Sequence, residues 1–65
     1  MTPEQGRVLN YLASSPFGHA TVTREDAHVI LLETGGNVLA CGCLYDIVAK
    51  PLGAGVYKLS LTRTH

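Results

Sequence analysis

Residues 37–48 read NVLACGCLYDIV, and how this stretch folds decides the architecture. It is apolar almost all the way round. It follows Gly35 and Gly36 and leads into AKPLGAGVYKLSLT, residues 49–62. Asn37 suits a helix N-cap. In a helix, Ala40, Cys43, Leu44 and Ile47 share one side, and Val38, Cys41 and Tyr45 share the opposite side. Gly42 costs such a helix about 1 kcal/mol relative to alanine, so packing has to hold it. A glycine there also allows another backbone to come close.

A second reading competes with this one. The segment VILLETGGNVLAC forms a β-hairpin if it turns on Gly35 and Gly36, since residues 29–32 are β-capable and short. The fold is then one helix on a four- or five-stranded antiparallel sheet. The helical reading is preferred because of what precedes it. Thr23 suits an N-cap, and Glu25 and Asp26 follow in the first turn; a strand has no use for that signal. Ala27, Ile30, Leu31 and Thr34 then fall on one helical face, and the two glycines stop it.

Outward from this core the signals are more local. Thr2, Pro3 and Gln5 give a cap, a proline at the first helical position and a capping box, and Glu4 suits the helix dipole. Val8, Leu9, Tyr11 and Leu12 form an apolar stripe. Pro16 and Gly18 end the helix, with Phe17 expected to tuck under the loop as core. Residues 19–22 read as a short strand or extended link. After Pro51, residues 52–55 make a glycine turn. Residues 56–62 then alternate, with Tyr57, Leu59 and Leu61 on one face, which is a half-buried strand. Its natural partner is the segment at residues 48–51. Residues 63–65 are expected to form a frayed tail.

Size and composition narrow the function classes. With 65 residues the chain makes one domain, residues 1–65. A domain so small hides only about 60% of its unfolded surface. Apolar residues reach 46% and charged ones only 15%, so apolar surface is expected to stay exposed, which favours a protein partner or a homodimer. The formal net charge is zero, which argues against strong nonspecific binding to nucleic acid. Cys41 and Cys43 are too close in sequence for an unstrained bridge and read as free thiols. No secretory leader and no run of roughly 20 apolar residues is visible, so the expected location is cytoplasmic, off the membrane.

The order helix, short strand, helix, turn, helix, hairpin resembles a winged helix-turn-helix domain. The ending IVAKPLGAGVYKLSLT is similar to the wing of bacterial regulators. The resemblance runs from Thr2 to Thr62 and implies a small α+β fold of three helices with a C-terminal β-hairpin. It also implies a dimeric DNA-binding regulator, with residues 37–48 as the recognition helix. The nucleic-acid contacts would then be Asn37 from that helix, Lys50 and Lys58 from the wing, and Arg63 beside it. The chain departs from the pattern in one respect. Residues 37–48 carry no lysine or arginine, and of their side chains only Asn37 suits base edges.

Metal and catalytic constellations are thin. A C-x-C with three scattered histidines, His28 among them, lacks the ligand spacing of a zinc site. Cys41, His28 and Asp46 could make a nucleophile, base and acid only if the fold placed them together. The GAG of residues 53–55 lacks the lysine and helix of a phosphate loop and reads as a hairpin turn. No cofactor, metal ligand or catalytic residue is therefore expected, and the chain reads as a non-enzyme. The reading that remains is a protein-binding module acting through Val38, Cys41 and Tyr45, an apolar patch with an aromatic anchor. In size and style it resembles small phage and mobile-element inhibitors such as anti-CRISPR proteins, which occupy a partner's surface.

Overall fold

The computed structural model describes residues 1–63. It has two helices, α1 (Pro3–Ser14) and α2 (Arg24–Thr34), and four strands: β1 (His19–Thr23), β2 (Asn37–Ala40), β3 (Cys43–Gly53) and β4 (Val56–Arg63). The strands form one sheet in the order β1-β4-β3-β2, with every neighbouring pair antiparallel.

Local chemistry sets both helices. At α1 the Thr2 hydroxyl accepts from the Gln5 backbone N–H at 3.2 Å, and the Gln5 side chain accepts from the Thr2 N–H at 2.8 Å. This is the capping box read from the sequence. At α2 the Thr23 hydroxyl accepts from the Asp26 N–H at 3.2 Å. Gly35 closes α2 in the left-handed region at φ 71°, where glycine carries no Cβ penalty. Gln5 does more than cap. It is buried, and its Nε2 donates to Asp26 Oδ1 at 2.7 Å, which ties the first turn of α1 to the first turn of α2.

The expected three-helix, winged-helix-like architecture is overturned in residues 37–48. They form the β2–β3 hairpin. Ala40 pairs with Cys43, so Cys41 and Gly42 alone make the turn. Both have positive φ, 54° and 76°, as a type I′ turn demands of its two central residues. The flanking Val38, Tyr45, Ile47 and Val48 are β-branched or aromatic and pack well on a pleated surface. The alternative of one helix on a sheet also fails, because α2 is a helix and its glycines cap it rather than turn a hairpin. Gly36 instead links α2 to β2, and its carbonyl accepts from the Ile47 N–H at 2.8 Å.

Helical arithmetic misled here for a definable reason. Ala40 and Cys43 lie three apart, which puts them together on a helix. They also lie together as partners across a two-residue turn. Val38 and Tyr45, seven apart, coincide in both geometries too. Leu44 tells the two apart: it points with the core in a helix, yet it is 45% exposed here.

The β3–β4 hairpin turns on Ala54 and Gly55, again with both φ positive, and it carries a bulge at Leu52 between Pro51 and Gly53. It pairs residues 48–51 with the last strand, as the sequence suggests. Arg63 is paired at the end of β4, not frayed; Thr64 and His65 lie outside the described residues. Phe17 is a second correction. It does not enter the core and is 99% exposed, held at the tip of a turn in which the Gly18 N–H donates to the Ser15 carbonyl at 2.8 Å.

The core lies between the helices and one face of the sheet. Leu12 from α1 and Ala27 and Ile30 from α2 meet Val22, Ile47 and Leu59. Leu12, Ile30 and Leu59 are fully buried. Strands β1 and β2 stand at opposite edges, so α2, which joins them, must cross the sheet, and it touches β1, β4 and β2 on the way. No helix among the described residues is long and apolar enough to cross a membrane.

Candidate functional site

Because side chains alternate along a strand, the register assigns each residue to a face. Ala20, Val22, Tyr57, Leu59, Ile47 and Val38 pack toward the helices. The residues between them point the other way, to a face on which no described element packs. Five rows cross this open face, the last made of Gly53, Val56 and Thr23. Leu39 pairs with Leu44; Asn37, Asp46 and Thr62 form the next row; then come Val48, Ser60 and His19; then Lys50, Lys58 and Thr21.

The open face is chemically divided. Its β2–β3 half carries the exposed apolar side chains, Leu39 at 69% exposure, Leu44 at 45% and Val48 at 41%, set among Asn37, Asp46 and Lys50. Its β1–β4 half is hydroxylic and basic. Asp46 stands within the β2–β3 half, and its Oδ1 accepts from the Asn37 amide. Lys50 and Lys58 are direct cross-strand partners. Two like charges so placed repel, and an incoming carboxylate would relieve that. The only ion pair among the described residues, Met1 with Glu33, lies elsewhere.

The residues singled out by sequence are placed differently from what helical spacing implies. Val38 and Tyr45 are neighbours across β2 and β3, but on the covered face, where Val38 packs against the core and Tyr45 is half-buried. Cys41 is exposed at the hairpin tip, apart from that face. They do not form one outward patch. Of the residues proposed for nucleic acid, Lys50 and Lys58 stand together and Asn37 shares their face, its amide engaged by Asp46. Arg63 pairs with Tyr45 and belongs to the other face. Among the described residues no third helix exists to enter a groove.

The paper triad separates as well. His28 is exposed on α2, on the helix side of the sheet, and Asp46 is on the open face. Among the described residues no three His, Cys, Asp or Glu side chains gather as a metal site. A shallow hollow between α1 and β1 is lined by Gln5, Val8, Thr21 and Asp26, and another beside α2 by Arg24, His28, Ala49 and Tyr57. Neither lining includes a serine or cysteine nucleophile.

The residues that helical periodicity missed are Leu39, Leu44 and Val48. Residues 43–50 read CLYDIVAK, apolar at both parities, so no period-two alternation marked them; only the strand register places Leu44 and Val48 on the open face. Comparison with known protein families, curated proteins and solved structures finds no match.

Proposed function

We propose that this chain is a non-enzymatic protein-binding module whose contact surface is the open face of the sheet. The observation that carries the reading is the placement of Leu39, Leu44 and Val48. Leu39 and Leu44 are a cross-strand pair and Val48 stands two rows along, beyond Asp46, all on a face free of any described element and each at least 41% exposed. Exposed large apolar side chains set among polar ones are typical of surfaces that become buried on binding. The polar ones here include Asn37, Asp46, Thr62, Ser60 and the lysine pair. A module of this kind acts by occupying a surface, which is how small phage and mobile-element inhibitors such as anti-CRISPR proteins work. The interface proposed is thus a sheet face, not a helix.

Affinity capture from the native host tests it. The wild-type chain should retain a protein that the Leu39→Ser/Leu44→Ser variant loses by roughly tenfold or more, as expected when anchoring apolar contacts are removed. Circular dichroism of the two should coincide, since both side chains are exposed. Equal retention by the two chains would overturn the assignment of this face.

A further inference from the structure

The open face of β3 is self-complementary. Outward from Val48, the alternating residues run Val48, Asp46, Leu44 in one direction and Val48, Lys50 in the other, before the bulge at Leu52 breaks the alternation. The pattern is apolar at the centre with opposite charges two residues to either side. We propose that a second copy of this chain covers the open face, with β3 lying antiparallel over its equivalent about a two-fold axis at Val48. The inference rests on the protein-binding reading and names the partner.

The geometry follows from symmetry. A two-fold axis in the plane between the sheets, running across the strands at Val48, sends each row to the row equally far on the other side. Val48 meets Val48 of the second copy. Asp46 meets Lys50 of the second copy, and Lys50 meets its Asp46, so two ion pairs form for one operation. Such an interface is isologous, with the same patch used on both sides. The lysine pair then has a role, because Lys58 stands one strand from Lys50 and approaches the same carboxylate. Asp46 uses Oδ1 for Asn37 and keeps Oδ2 for the lysine. Leu44 comes to the bulge end of the second copy, over Gly53 and Val56. Sheets stack face to face at about 10 Å with strands near alignment, a spacing that side chains of this size fill. Zero net charge removes long-range repulsion between copies.

Sedimentation equilibrium over a micromolar to millimolar series reads the result. Wild type should populate a dimer. Asp46→Lys alone sets lysines against Lys50 of the other copy, and Lys50→Asp alone sets two acids together. Each should weaken self-association by roughly tenfold or more, since like charges across an interface cost several kcal/mol. Mixed in equal amounts, the two variants should form a heterodimer, because each acid then faces a base. A second measurement needs no variant. Carbodiimide treatment of mixed 15N-labelled and unlabelled wild type should yield an Asp46–Lys50 crosslink between labelled and unlabelled chains. A monomeric wild type at millimolar concentration would overturn the self-pairing, and the Leu39/Leu44 capture experiment would still decide the protein-binding reading. A dimer whose variants associate as well as wild type, with no mixed-isotope crosslink, would also overturn it, since copies would then meet elsewhere.

Discussion

Alternate residues of the same strands build both faces of this sheet, and the two faces obey different rules. On the covered face β3 and β4 present Ile47, Ala49, Leu59 and Leu61 to the helices, with no charge in the core cluster. On the open face the same strands present Leu44, Asp46, Val48, Lys50, Lys58 and Ser60. A face that only has to be buried on folding gains from uniform apolar packing. A face that stays wet in the free chain and must recognise a partner needs charges at defined positions, since charge placement sets orientation and excludes wrong partners. The contrast therefore separates stability from recognition, residue by residue along single strands.

The largest expected effect tests that separation. Leu59→Ala should destabilise the fold by about 2–5 kcal/mol in urea titration, because Leu59 is fully buried and leaves a cavity between sheet and helices. Val48→Thr, across the sheet, should shift stability at micromolar concentration by only about 0.5 kcal/mol or less. Equal losses at the two sites would break the distinction between the faces.

A smaller effect tests how the covered face is closed. Gln5→Ala removes half of the capping box and the only side-chain hydrogen bond described between the helices. A loss of about 1–3 kcal/mol is expected in the same titration. Asp26→Asn should cost less, since its amide oxygen still accepts from Gln5.

One further effect has the opposite sign. The turns at Cys41–Gly42 and Ala54–Gly55 each hold a non-glycine residue at positive φ, 54° and 53°. L-residues other than asparagine, aspartate and glycine are strained there. Cys41→Asn should therefore raise stability by roughly 0.5–1 kcal/mol, seen as a higher thermal midpoint, without altering the open face. A fall would mean that the Cys41 side chain makes a contact that the hairpin needs.

Local signals were legible wherever a single residue could satisfy a backbone group by itself. Thr2, Gln5 and Thr23 announced the two helix starts, Gly35 announced the end of α2, and the alternation after Gly55 announced β4. The middle of the chain was not legible in that way. Ala40 with Cys43, and Val38 with Tyr45, lie side by side whether residues 37–48 are helical or folded back on Cys41 and Gly42. The open-face residues were missed because a helical period puts Leu44 and Val48 with the core side and Leu39 away from them. Phe17 was misjudged because its size predicts burial, while the Pro16 turn holds it away from the core.

By itself, then, the sequence determined the capped helices, the last strand and the presence of more apolar surface than so small a body hides. Those features depend on neighbours within a turn or two of chain. Only the tertiary structure decided that residues 37–48 are a hairpin, and hence where Val38 and Tyr45 point and which face is left open. The physical reason is pairing at a distance. Strand β3 gains its backbone partners from β4 along most of its length and from β2 across the Cys41–Gly42 turn. A helix through the same residues would have forfeited both, and it would have left β4 with β1 alone.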